Sequence, residues 1–498
     1  MEGLPEDILI EIFNLFCAHC QQPSQFPHAD TTEVCDNKRT LAYLCRVCRN
    51  FFPIARPILY HYYATGNLEK REKRNGPLEV HMTHDFLPQF LRTITQDPEL
   101  AAHIVTMQFV NSSVTVGYEA QIDTIRALTQ FSTTNNLVAV PPTKWLDNSI
   151  STPCEERCFN IHEWMITLAM VLAPRLQSVL IALGPNPEFN YLHNSENLRL
   201  PSLKTLGLIS YSGDYHITHL AHLYAAAPNL TTLYASDASG WLGNPMSWHR
   251  GSSKCNIKYE LHLSQLHRLA ISGLLSENLG SLLPCMPHLE DLEYYWDVHE
   301  FTSFNLGELL QPVKKTLKRL CVSFLPGWEY ADEGPGALDM DYPVISTLSD
   351  FPCLEDLTID CRSLYHAEDV DEPDRLIEIL PKTIHRLRIS YIYREIDVGL
   401  LQLASQAPQD FPNLKDIILG FCGRLDVVDD DDKERFRRMR AMGSLFTTAG
   451  INFNVRTDLY TADIRTMIPG AMAGSIVRPL PSLMDKSEDP EKKYGCSF

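Results

Sequence analysis

The residues best suited to chemistry are cysteines near the N-terminus. Cys17-Ala-His-Cys20 and Cys45-Arg-Val-Cys48 form two C-x2-C pairs with His28 and Cys35 between them, and thiolates and imidazoles at short spacing are the ordinary donors of a zinc site. Their place in the hydrophobic pattern argues for another use. Cys17 falls at the end of one helical stretch, and Cys45 and Cys48 fall three apart inside another, where small cysteines fill core space. With about 24 residues between the pairs, packing is the favoured reading. A second cluster, Asp426 with Asp429 to Asp432, lacks the turn glycine and spaced ligands of a calcium loop. Lys433, Arg435, Arg437, Arg438 and Arg440 follow it, which makes it a solvated, acidic helix start. No phosphate loop, nucleophile elbow, zinc-protease helix or kinase signature occurs. The sequence therefore assigns no catalytic residue, no metal and no cofactor.

The chain around these residues is globular in composition: 498 residues, 44% hydrophobic and 21% charged, with ample apolar material for a large core. Forty-three Lys and Arg stand against 62 Asp and Glu, a formal charge of −19, so the chain lacks the positive field behind most nucleic-acid affinity. MEGLPEDILIEIF at the N-terminus places acids where a secretory signal needs a basic flank. The 14 cysteines are accordingly expected as reduced thiols, in the cytoplasm or nucleus. Trp164 to Leu183 is the one stretch as long as a membrane span, but Pro174 and Arg175 in its middle make it helix, turn and strand, so no membrane is expected.

The elements that carry the rest of the chain repeat. Ten windows share an apolar residue, two variable residues, an apolar residue, one variable residue and a third apolar residue. They are Ile104/Met107/Phe109, Leu176/Val179/Ile181, Leu203/Leu206/Leu208, Leu230/Leu233/Ala235, Leu266/Leu269/Ile271, Leu289/Leu292/Tyr294, Leu317/Leu320/Val322, Leu354/Leu357/Ile359, Ile384/Leu387/Ile389 and Leu414/Ile417/Leu419. Pro174, Pro201, Pro228, Pro287, Pro352 and Pro412 each stand two residues before a window, where proline stops the preceding helix. From Leu176 the windows recur every roughly 23 to 37 residues, room for one strand and one helix per unit. Ile217, Leu220, Leu223 and Tyr224 give the helical spacing expected between windows.

From about Ile104 to Asn454 the sequence resembles leucine-rich repeats, though only Cys422 meets the family's Asn or Cys position beyond the strand. The resemblance implies an α/β solenoid, one strand and one helix per repeat, with a parallel concave sheet. It is assigned residues 64–460, with an irregular segment at 112–160 and a surface insertion at 329–341; a partly disordered tail, 461–498, ends without a prenylation box. A non-repetitive α/β domain with leucine-bearing strands is the alternative.

Residues 1–63 have a different character. Leu4-Pro5-Glu6-Asp7 starts a helix, Leu9, Ile12, Phe13 and Phe16 line one face of it, and a second amphipathic stretch runs from Thr40 to Tyr60. So small a piece cannot bury all of these side chains, which points to an apolar face for a partner. Leu4-Pro5-Glu6-Asp7-Ile8-Leu9 with Ile12-Phe13, then Leu41, Leu44, Val47-Cys48-Arg49-Asn50-Phe51, Ala55-Arg56-Pro57 and Leu59-Tyr60 resemble an F-box, interrupted by an insertion at about 19–38. An F-box followed by leucine-rich repeats implies a non-catalytic substrate receptor of a Skp–cullin–F-box ubiquitin ligase. In that reading Leu4, Pro5, Ile8, Leu9, Ile12, Phe13, Leu44, Val47, Cys48 and Phe51 meet the Skp-type adaptor, and through it the cullin. A repeat scaffold without a ligase role would share the same fold.

Because strand side chains alternate, the residues between and beside the apolar positions share the opposite face. That face carries Tyr234, Arg268, Asp291, Glu293, Tyr295, Arg319, Asp356, Asp360, Arg386, Arg388 and Asp416. Their alternating signs are expected to register a protein substrate. Pairing with neighbouring strands is the plainer use of the same residues.

Overall fold

A computed structural model describes residues 4–23, 26, 32–65, 67–71, 79–83, 86–109, 122–138, 154–183, 189–192, 199–210, 215–236, 238–239, 261–297, 305–325, 345, 347–364, 374–390, 392, 396–420 and 430–456. His28, Cys422, Asp426, Asp429, the expected insertion at 329–341 and the tail at 461–498 lie outside these residues. The protein is mixed α/β, built on an open parallel sheet of twelve strands. In chain order these are β1 (Tyr62–Thr65), β2 (Thr106–Phe109), β3 (Ser178–Leu183), β4 (Thr205–Ser210), β5 (Thr232–Ala235), β6 (Arg268–Ser272), β7 (Asp291–Asp297), β8 (Arg319–Leu325), β9 (Asp356–Asp360), β10 (Arg386–Ser390), β11 (Asp416–Gly420) and β12 (Asn452–Arg456). Each strand lies beside the next, so spatial order follows chain order.

All ten windows form strands of this sheet, β2 to β11, and all thirty of their apolar positions are buried. One repeated turn sets up each strand. The Leu176 N–H donates to the Ala173 carbonyl across Pro174, and the same bond recurs from Leu203 to Leu200 across Pro201 and from Leu414 to Phe411 across Pro412. The fixed φ of proline suits the second position of such a turn, so these prolines shape the entry to the strand as well as ending a helix. Just before most of the strands, one carbonyl accepts two N–H groups from the next unit: Val105 from Gln177 and Ser178, Lys204 from Thr231 and Thr232, Lys318 from Glu355 and Asp356. These bonds hold the units in one register.

Helices such as Leu87–Gln96, Cys154–Leu172, Ala221–Ala226, Ser276–Leu282 and Asp397–Asp410 connect successive strands, and their apolar residues join those of the strands in one continuous core. Trp164, Tyr224 and Tyr294 lie fully inside it, and the Tyr294 hydroxyl donates to the Leu274 carbonyl at 2.7 Å. Around Pro174-Arg175 the chain runs as helix, turn and strand. No helix among the described residues is long and apolar enough to cross a membrane.

The amphipathic stretch from Thr40 to Tyr60 falls on two helices, α3 (Thr32–Val47) and α4 (Phe52–Tyr60), and α3 begins inside the expected insertion. His61 leads straight from α4 into β1, which spans residue 63. Within segment 112–160 the described residues include a regular helix, Ile122–Thr134. Ile125, Leu128 and Thr129 are buried there at helical spacing.

Candidate functional site

The N-terminal module is α1 (Glu6–Asn14), α2 (Ala18–Gln21), α3 and α4. Pro5 precedes α1, and Glu6 and Asp7 occupy its first turn, where negative charge meets the positive end of the helix dipole. Leu9 and Phe13 point inward against Phe51, Leu41, Ile54, Ala55 and Ile58, with the Phe13 and Phe51 rings edge to face at 5.2 Å. The other side of α1 is apolar and open. Leu4, Ile8, Ile12 and Leu15, spaced as a helical stripe, are 42%, 43%, 37% and 63% exposed. Tyr43 and Val47 on α3 and Phe52 on α4 are exposed too.

Of the ten residues expected to meet an adaptor, Leu4, Pro5, Ile8, Ile12, Val47 and Cys48 are exposed and Leu44 is half-buried. Leu9, Phe13 and Phe51 are core residues of the module itself. Cys48, read from sequence as a small core residue, is exposed, because the chain leaves α3 at Val47 just before it.

On the sheet face opposite the core, the first residues of the strands stand side by side. From β6 to β11 that row reads Arg268, Asp291, Arg319, Asp356, Arg386, Asp416, alternating in sign at every step. Arg268 bridges Asp291 at 3.2 Å and Glu293 at 2.5 Å, and Arg319 reaches Asp291 at 2.5 Å. Arg386 lies between Asp356 at 3.3 Å and Asp416 at 3.7 Å. Opposite charges directly across neighbouring strands stabilise the pairing, so this row is first a structural ladder.

The second row holds Tyr234, Glu293 and Arg388. The Arg268 guanidinium sits 5.5 Å from the centre of the Tyr234 ring, and the Tyr295 hydroxyl donates to Glu293 at 3.2 Å. Burial disfavours the Arg268 charge, but Tyr234, Glu293 and Asp291 more than offset it and hold its pKa above the ordinary value. Of the eleven residues expected to face a substrate, Tyr234, Asp291, Glu293, Tyr295 and Asp360 are buried and Arg268 is mostly so. Arg319 is exposed, and Asp356, Arg386, Arg388 and Asp416 are half-exposed. The accessible part of this face therefore lies on β8 to β11.

Leu180, Ala182, Ile209, Tyr234, Ala270 and Tyr295 form an apolar cluster on the same face, and Phe26 packs into it from the N-terminal module. Gly207 leaves room for that ring: a Cβ there would stand 2.6 Å from Leu180 and 3.0 Å from Phe26. Nothing in the spacing of the sequence singles out Phe26.

The two C-x2-C pairs do not converge. Cys17 and Cys20 instead meet His19 on the same short helix and His61 at the end of α4, with one donor atom from each within 4.8 Å of the others. Cys20 Sγ is 3.3 Å from His61 Nδ1 and 3.9 Å from His19 Nδ1, and Cys17 Sγ is 4.0 Å from His61 Nδ1. Hydrogen bonding from Cys20, together with His19 and His61, holds the Cys17 thiol well below its ordinary range. The same bond to Cys17, with burial, pushes Cys20 up.

No family model matches the chain, and no curated protein matches it in sequence.

Proposed function

We propose that the protein is a non-catalytic substrate receptor of a Skp–cullin–F-box ubiquitin ligase, working in the cytoplasm or nucleus. The observation that carries this reading is the α1 stripe of Leu4, Ile8, Ile12 and Leu15, apolar and exposed on a helix whose other side already serves the module's core. Apolar surface on a small helical module is a partner-binding feature, and a helix face of this spacing suits a groove between partner helices. The F-box resemblance of the same residues names the partner as a Skp-type adaptor. In this reading α3 and α4 extend the docking face through Val47, Cys48 and Phe52, and the cullin is reached through the adaptor.

The long parallel sheet, a leucine-rich-repeat solenoid in this reading, then holds the protein to be ubiquitinated. Its accessible face on β8 to β11 offers Arg319, Asp356, Arg386, Arg388 and Asp416, whose half-exposed charges fix partner register more than they add affinity. The receptor needs no catalytic group, since ubiquitin transfer belongs to other subunits. Co-purification with a Skp-type adaptor tests the reading: the wild-type chain is expected to retain the adaptor and Ile8→Asp with Ile12→Asp to lose it. A wild-type chain that captures no adaptor leaves a scaffold without a ligase role.

A further inference from the structure

We propose that Cys17, His19, Cys20 and His61 bind one tetrahedral metal ion of the zinc class, which fastens the α1–α2 corner to the point where α4 enters the sheet. The inference does not depend on the ligase reading. Two soft thiols and two imidazoles are a complete donor set for structural zinc, with one donor atom per residue inside a 4.8 Å cluster. Zinc–sulfur bonds of about 2.3 Å and zinc–nitrogen bonds of about 2.0 Å at tetrahedral angles place neighbouring donors about 3.3 to 3.8 Å apart. The three sulfur–nitrogen separations of 3.3, 3.9 and 4.0 Å lie within about 0.5 Å of the sulfur–nitrogen edge of about 3.5 Å.

The local fold gives the cluster a structural purpose. α2 is four residues long and has no side-chain cap, and apart from Cys20, which packs against the module core, it sets no apolar side chain there, so intrinsic propensity does not account for its placement. Cys17 at its N-cap and His19 and Cys20 within it bring their donor atoms to His61. His61 is held from the opposite side, because its carbonyl accepts the Val105 and Thr106 N–H groups at 3.0 and 2.9 Å as the sheet begins. One anchored imidazole and one short segment rich in donors are the two halves that a metal ion joins. Zn2+ with two thiolates and two neutral imidazoles is uncharged, so a partly buried site suits it, and binding releases thiol protons to solvent as both sulfurs become thiolates.

The experiment uses the full chain, purified untagged under reducing conditions, with zinc measured by elemental analysis and Co2+ substituted for spectroscopy. About one zinc per chain is expected, with the visible absorption of a tetrahedral cobalt–thiolate centre. Cys20→Ser and His19→Gln, at half-buried positions, are each expected to abolish stoichiometric zinc and change the cobalt spectrum while circular dichroism reports a folded repeat sheet. Cys45→Ser with Cys48→Ser is expected to leave both unchanged. Reduced wild-type chain that takes up neither zinc nor tetrahedral cobalt overturns the proposal. So does zinc that survives Cys20→Ser and His19→Gln, or zinc that is lost only with Cys45 and Cys48. A Cys17–Cys20 disulfide found by mass spectrometry in chain that binds no zinc after reduction has the same consequence.

Discussion

Replacing Arg268 by Met removes one charge from the ladder and keeps most of the side-chain volume. Arg268 is 20% exposed, and the carboxylates it bridges, on Asp291 and Glu293, are 8% and 6% exposed. A pair of unit charges about 4 Å apart at an effective dielectric of about 20 attracts by about 4 kcal/mol, a gain that desolvation of both partners largely offsets while the pair is intact. Breaking the pair exposes that offset, because Asp291 and Glu293 stay buried without the cation; the usual cost is about 3 to 5 kcal/mol. Asp291 keeps Arg319 and Glu293 keeps the Tyr295 hydroxyl, so the expected loss sits at the low end, about 3 kcal/mol. Arg319→Met is the internal control. Arg319 is 57% exposed and shares its carboxylate with Arg268, so its loss is expected to cost about 1 kcal/mol or less. Urea unfolding of the full chain, followed by circular dichroism, reads both. Arg268→Met with Glu293→Gln is expected to recover part of the loss, and a double-mutant cycle measures how much the two residues are coupled. If Arg268→Met costs no more than Arg319→Met, the ladder is not what the buried carboxylates depend on.

Gly207→Ala is expected to destabilise by about 1 kcal/mol by crowding Leu180 and Phe26, and Phe26→Ala is expected to relieve part of it; additive losses in thermal unfolding count against the packing of Phe26 on the sheet. Leu9→Ala is expected to cost about 2 to 4 kcal/mol of module stability against about 0.5 kcal/mol for Ile8→Ala, and chemical denaturation showing equal losses refutes the assignment of the two sides of α1. Arg386→Glu is expected to lower stability by about 1 to 2 kcal/mol, since it removes two bridges and sets like charges beside Asp356 and Asp416; an unchanged melting curve shows that this end of the ladder is idle.

How much of this was legible in the sequence varies with the physics of each part. Ten of the twelve strands were visible because one side of each is wholly buried, which forces Leu, Ile or Val into a fixed alternation. The two missed strands sit at the sheet edges: β1 runs out on Thr65, and β12 sets its half-buried Phe453 and Val455 among Asn452, Asn454 and Arg456. The alternating charges were read correctly as sharing a face, but only the register shows Arg386 between two aspartates. Alternation specifies a face, and it does not fix which strand neighbours which residue. For that reason the stability cost of charge reversal at Arg386 follows from the register and not from the alternation. On α1 the sequence could not separate docking from core, since Ile8, Leu9, Ile12 and Phe13 are apolar on both sides of one helix. The cysteine–histidine cluster was hidden because His61 lies 41 residues from Cys20 and reaches it only through the fold of α3 and α4.

The most direct test of the docking account is the affinity of the full chain for a purified Skp-type adaptor, measured by calorimetry for wild type and for Ile8→Asp with Ile12→Asp. At about 2 kcal/mol for each hot-spot residue, the double variant is expected to bind about a thousandfold more weakly, with its unfolding curve unchanged because both side chains are exposed. Equal affinity for the two proteins, or a loss that appears only when buried Leu9 or Phe13 is replaced and the module unfolds, would contradict the claim that the exposed face of α1 is the docking surface.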